Sequence, residues 1–372
     1  MTVRNYYAPG LDKTLWYTPD EAYDRSHLAG KVILITGPTA GLGAACIDEM
    51  CGFENKHRPS KVILVGRNPS KLEKTAAQLE SADIKSSSYV SDMLLPKTVF
   101  QVCREIIAAE PSLHIACLNA GAFLTHPEGR MLQEDGLEEH YCCNFLQMTI
   151  FIEELAPLLS KTSTTECKGR ICVMGSYTTM AFAKGKLDIE HLNTKKGPHH
   201  SKTFMKPGDL VYAQSKLMQH VYCKFMYTRI PSNVTLNVAC PGAAPSDTPG
   251  WGGLSQMYLY DQILFPILSR IAGFKRLSEG CATMMHLIGA KSMEAVSGKF
   301  CDFGYKYRSH SLNKPTDLEV FPSENYAIAE SIANETVCTE LANDTHKVIK
   351  QLRSKYEQYI DVSHSIRGIV LS

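Results

Sequence analysis

Short apolar runs and segments of helical spacing take turns along this chain. Lys31–Thr36, Lys61–Val65, Leu113–Leu118, Arg170–Met174 and Val234–Cys240 are continuous and largely apolar. They lack the alternation of a half-solvated strand, so they predict strands buried on both faces of a parallel sheet. A polar run near Ser87–Val90 and a late one at Ser297–Phe303 predict two more strands. Helix-like segments lie between them, at Ala44–Phe53, Pro69–Glu80, about Lys97–Ala109, Gly136–Leu159 and Asp209–Arg229. This alternation predicts an α/β fold, a doubly wound parallel sheet with its ligand crevice at the carboxyl ends of the strands.

The same pattern divides the chain into an irregular arm (1–30), an α/β body (31–303) and a polar, helix-prone extension (304–372). Two segments interrupt the body. Residues 177–208 are long, polar and basic (Lys184, Lys186, Lys195, Lys196, Lys202, Lys206), which predicts a surface excursion. Residues 254–274 are apolar (Met257, Tyr258, Phe265, Leu268) but broken by Asp261 and Pro266. They predict a helical lid over a lipophilic small-molecule substrate; packing on a homo-oligomer partner and peripheral membrane contact are the alternatives.

Composition narrows the picture. A formal charge of +1 with 21% charged residues leaves no electrostatic footprint for nucleic acid. Thirteen Cys, scattered and without a Cys-x-x-Cys pair, read as small buried hydrophobes in a reducing, cytoplasmic setting. The first 30 residues lack the layout of a signal peptide, so the sequons at Asn233, Asn334 and Asn343 are expected to be accidental. No metal site is predicted, and His199-His200 is expected to be solvated.

Candidate chemistry sits at three places. Thr36-Gly37-Pro38-Thr39-Ala40-Gly41-Leu42-Gly43 joins the first strand to a helix, where glycines let the backbone approach a pyrophosphate that the helix N-terminus attracts. The second strand ends in Gly66-Arg67-Asn68 in place of an acidic residue, and an Arg there suits a 2′-phosphate, favouring NADP(H) over NAD(H). Tyr212 and Lys216, four apart, share one helix face. A free phenol titrates at about 10, and a nearby cation lowers that value, so the two form a candidate acid/base pair.

On these motifs the chain resembles the short-chain dehydrogenase/reductase family, whose fold is of the Rossmann type. The glycine turn is similar to its Thr-Gly-x-x-x-Gly-x-Gly. Asp92, followed by Met93, stands where the family contacts adenine, and Asn119-Ala120-Gly121 and Pro241-Gly242 resemble two further cofactor elements. The resemblance implies that Ser176, Tyr212 and Lys216 are catalytic, with Asn144 holding a water that links Lys216 to solvent. It also implies that Lys216 binds the nicotinamide ribose and lowers the Tyr212 pKa. Gly185–Leu192, Glu279–Thr283 and Val296–Phe300 look like the retinol dehydrogenase and protochlorophyllide reductase branch. Three departures stand out: Gly175 replaces the first of a usual Ser pair, Pro38 and Thr39 are unusual in the glycine turn, and Ser246 or Thr248 stands in for a Thr after Gly242. The implied reaction is hydride transfer between NADPH and a carbonyl or alcohol of a retinoid, steroid or fatty aldehyde. A C=C reductase and a non-catalytic NADPH-binding sensor are the alternatives.

Overall fold

The computed structural model describes residues 24–176, 178–181, 183–200, 207–242, 244, 267, 276–305, 318–322, 331 and 334–357. Its strands are β1 (Val32–Thr36), β2 (Lys61–Gly66), β3 (Lys85–Val90), β4 (Ile115–Leu118), β5 (Gly169–Met174), β6 (Val234–Ala239), β7 (Phe300–Tyr305) and β8 (Leu318–Pro322). They form one sheet in the order β3-β2-β1-β4-β5-β6-β7-β8. All neighbours are parallel except β7 and β8. The seven-stranded parallel sheet is thus doubly wound, and the order reverses between β1 and β4, which is where such a fold opens its crevice.

Helices α1 (Gly41–Gly52), α2 (Pro69–Glu80), α3 (Pro96–Ala109), α4 (Gln147–Thr162), α5 (Asp209–Met226), α6 (Leu277–Gly289) and α7 (Glu335–Glu357) complete the frame. The apolar runs are continuous because both faces are covered. Ile33 and Ile35 of β1 pack with Ile47 of α1, Leu72 of α2 and Met285 of α6. Leu34 points into the other layer, with Phe100 of α3, Phe151 of α4, Leu217 of α5 and Leu341 of α7. Arg170 is 1% exposed at the start of β5 and donates to the carbonyls of Leu287, Ile288 and Ala290 at 2.9–3.1 Å, satisfying the orphan acceptors that end α6. The helix Tyr141–Thr162 is apolar and long enough to cross a membrane, but 83% of its most apolar window is buried in the fold.

Several expectations shift. β8 was not anticipated; it pairs antiparallel to β7, with Asp302 opposite Phe321. β7 begins at Phe300, because Ser297 and Gly298 form a turn: the Ser297 hydroxyl accepts from Leu236 N, and Gly298 has φ +73. The predicted helix from Gly136 begins instead with a π-helical turn, Tyr141–Leu146. The excursion after β5 is packed where it is described: Ala183 and Leu192 are each 6% exposed, and Gln214 of α5 holds Lys186 O and Asp188 N. His199 and His200 are part-exposed and also engaged: His199 bonds His126 O, and His200 pairs with the buried Asp209 at 2.9 Å. Asn233 exchanges hydrogen bonds with Ser160, which employs its amide inside the fold. All thirteen cysteines are free thiols, eleven of them buried. The 254–274 stretch lies outside the described residues apart from Ile267.

Candidate active site

The turn after β1 is built for close backbone approach. Gly37 and Gly41 have φ +66 and +56, which side-chain-bearing residues rarely adopt. A Cβ on Gly43 would lie 2.0 Å from the Gly37 carbonyl oxygen and 2.6 Å from the Asn119 amide. Asn119 Nδ2 donates to Thr36 O at 3.1 Å and Gly37 O at 3.3 Å, and the Thr36 hydroxyl accepts from Ala120 N at 2.9 Å. Turn and β4 loop are therefore locked to each other. The N-terminus of α1 has no side-chain cap and no acid in its first turn, so its N–H groups and partial positive charge suit a phosphate.

The other cofactor candidates line the same sheet edge. Arg67 and Asn68 are exposed after β2, and Asn68 also caps α2 by accepting from Lys71 N at 3.0 Å. Asp92 follows β3 half-buried, accepting from Leu94 N at 3.0 Å, with Met93 buried beside it. Pro241 and Gly242 follow β6, and Gly242 has φ +66. Leu42 lies against Gly280 of α6, where a Cβ would be 2.8 Å from its Cδ2. Ser246 and Thr248 lie outside the described residues.

The structure brings Ser176, Tyr212, Lys216 and Asn144 together. Ser176, just past β5, is 5% exposed and bonds Thr178 Oγ1 at 2.9 Å, with Thr178 N donating to it at 3.2 Å. Its hydroxyl favours the ionised Tyr212 phenol, against burial, which pushes the phenol up to about 12. Lys216 is 3% exposed, and burial holds its ammonium down to about 8. Its Nζ donates to Met174 O at 2.9 Å. The expected lowering of the phenol by Lys216 is not found: burial sets the direction for both groups, and the ammonium is directed at the strand carbonyl.

Asn144 falls inside the π turn, 0% exposed. Its Oδ1 accepts from Ala122 N at 2.8 Å, and its Nδ2 donates to Ala122 O and Ser215 Oγ at 3.0 and 2.9 Å. The amide thus pins the β4 loop to α5, while Gln219 Nε2 donates to its backbone carbonyl at 2.6 Å. Gly121 lies at this junction, and a Cβ there would be 2.9 Å from Asn144 Oδ1 and 3.2 Å from Lys216 Nζ.

Four neighbours were not singled out from sequence. The Phe123 ring lies 5.2 Å from that of Tyr212, and the His140 ring 6.3 Å away. His140 is fixed by Glu138 at 2.9 Å, both side chains being 1% exposed, and its Nε2 accepts from Leu124 N at 3.1 Å. His220 completes a stack on α5. Only for His220 did the sequence carry a signal, its four-residue spacing from Lys216.

Comparison with known proteins points to the same fold. Residues 31–186 match the family model of the short chain dehydrogenases. Human retinol dehydrogenase 14 is 28% identical over 313 residues, which cover 80% of this chain and 84% of that protein. Mouse polyprenol dehydrogenase is 24% identical, over 73% of this chain and 75% of that one. Among solved structures, a short chain dehydrogenase from Burkholderia cenocepacia in complex with NADP superposes with a TM-score of 0.55 at 18% identity, covering 74% of this chain and 97% of that one. L-Sorbose reductase from Gluconobacter frateurii, complexed with NADPH and L-sorbose, gives 0.55 at 17% identity over 74% and 95%. By the matched family model, the related retinol dehydrogenases and this fold, the chain is similar to the short-chain dehydrogenases, a family of oxidoreductases.

Proposed function

We propose that this oxidoreductase transfers a hydride between NADP(H) and a carbonyl or alcohol carbon, with Tyr212 as the acid/base. The observation that carries the reading is the convergence of Ser176, Tyr212 and Lys216 at the sheet edge where the glycine turn lies, with the Lys216 ammonium held on the Met174 carbonyl two residues before Ser176. A phenol with a raised pKa stays protonated at neutral pH and can donate a proton to a developing alkoxide. The Ser176 hydroxyl stabilises the negative charge that grows on the substrate oxygen. Asn144 holds the β4 loop, and with it Gly121, against Lys216.

The glycine turn and the uncapped start of α1 fit a pyrophosphate, and exposed Arg67 fits the 2′-phosphate that distinguishes NADP from NAD. When bound, the nicotinamide supplies or accepts the hydride. Lys216 is then the cation that binds the cofactor's nicotinamide ribose. Similarity to retinol and polyprenol dehydrogenases, with Phe123 against Tyr212, supports a lipophilic alcohol or aldehyde as substrate. We further assign residues 31–303 as the catalytic unit in a reducing, cytoplasmic setting.

The test is NADPH oxidation with a panel of retinoid, steroid and fatty aldehydes, with product analysis. An alcohol product supports carbonyl reduction, and a saturated ring or chain indicates C=C reduction. Tight NADPH binding without turnover across the panel would favour a sensor.

A further inference from the structure

Tyr212, Lys216 and His220 recur every fourth residue of α5 and so share one face of the helix. The first two belong to the proposed chemistry; His220 does not, yet it is 4% exposed. Its ring lies 4.6 Å from that of Phe300 on β7. On its other side is Gly175, the residue between Met174 and Ser176. A Cβ built on Gly175 would lie 2.3 Å from His220 Nε2 and 2.8 Å from Val238 Cγ1 of β6. Gly175 is not among the glycines with positive φ, so the backbone there does not demand glycine. The space does, because the imidazole occupies it.

The two residues around Gly175 are the ones the site depends on. The Met174 carbonyl holds Lys216 Nζ at 2.9 Å, and Ser176 Oγ is set by Thr178 at 2.9 Å beside the Tyr212 phenol that it influences. We propose that His220 is a positioning residue of this active site: its imidazole fills the volume that a side chain at 175 would take, and so fixes the strand end that carries Ser176 and the Met174 carbonyl. The role rests on the oxidoreductase reading above. Burial first and Lys216 second hold the imidazole down to about 3, so it fills the space as a neutral ring and adds no second charge beside the ammonium. A ring also resists collapse better than a flexible chain of similar volume. The absence of a side chain at 175, where the family resemblance leads one to expect Ser, and the bulk at 220 are then two halves of one packing solution across β5, β6 and α5.

The variants His220→Val, Gly175→Ala and the double Gly175→Ala/His220→Val test this, each read for kcat, NADPH affinity and melting temperature. A misplacement of 1 Å at a catalytic group costs about 10²-fold, so His220→Val and Gly175→Ala should each lose on the order of that in kcat. NADPH affinity should be unchanged in His220→Val, and the double variant should regain most of the lost kcat. His220→Gln, neutral and closer in bulk, should lose less and serves if His220→Val does not fold. Wild-type kcat in His220→Val, a parallel loss of NADPH affinity, or a double variant no better than Gly175→Ala would each overturn the role. Absence of turnover in the wild type would overturn the oxidoreductase reading and this role with it, whereas turnover unaffected at 220 overturns this role alone.

Discussion

Lys216 Nζ donates to the Met174 carbonyl at 2.9 Å, which ties α5 to the last residue of β5, two positions before Ser176. The bond orients the cation, while burial holds it down to about 8 and the Tyr212 phenol up to about 12. Near neutral pH the site therefore holds a charged lysine and a protonated tyrosine.

That pair predicts opposite pH dependences for activity and stability. Carbonyl reduction uses both protonated groups, so kcat should fall as pH rises through about 8, where Lys216 titrates. Its folded value lies below the ordinary lysine value of 10.5, so burial penalises the charged form in the fold. Between about 8 and 10 its contribution to stability therefore rises with pH, before the raised phenol begins to act in the other direction. A pH–rate profile alongside urea melts at each pH checks this, and kcat flat from pH 7 to about 10 would contradict the role of Lys216.

Gly43→Ala should damage fold and cofactor site together. The added Cβ would meet the Gly37 carbonyl at 2.0 Å, a backbone atom that cannot swing aside. The expected cost is about 1–3 kcal/mol or more, read as a lower melting temperature with weaker NADPH binding. Wild-type values for both would mean that the turn does not cradle the pyrophosphate.

Arg67→Asp should reverse the cofactor preference. Losing a charge-assisted bond to the 2′-phosphate costs about 1.5–3 kcal/mol, which is on the order of 10- to 100-fold in NADPH affinity. The new carboxylate should favour NADH. Unchanged NADPH and NADH affinities would show that this cation does not select.

The extension after β8 should stabilise the catalytic helix. Leu341 of α7 is 0% exposed in the layer that contains Leu217 of α5. Leu341→Ala should cost about 2–5 kcal/mol by urea melt. A loss under 1 kcal/mol would mean that α7 is not part of the cooperative unit.

Much of this arrangement was legible in the sequence, for physical reasons. Strands covered on both faces are apolar throughout, which is why β1, β2, β4, β5 and β6 could be read within two residues at either end. Glycine at 37, 41 and 43 reports backbone geometry directly. β8 was hidden because Leu318–Pro322 is five residues long, is broken by Glu319 and ends in Pro322, so it carries no clear strand pattern. The π turn around Asn144 was hidden because it changes the bonding pattern without changing the apolar spacing. The same holds for contacts between distant segments: the Phe123 and His140 rings beside Tyr212, and the match between Gly175 and His220. The expected effect of Lys216 on the phenol assumed that the pair interacts in isolation; burial of both groups decides otherwise.

Tyr212→Phe is the most direct measurement. The phenol hydroxyl is the proposed proton donor, while the ring contributes packing against Phe123 that Phe retains. The variant should fold, bind NADPH as the wild type does and lose at least about 10²–10⁴-fold in turnover of an aldehyde that the wild type reduces. Turnover at the wild-type rate in Tyr212→Phe would contradict the assignment of Tyr212 as the acid.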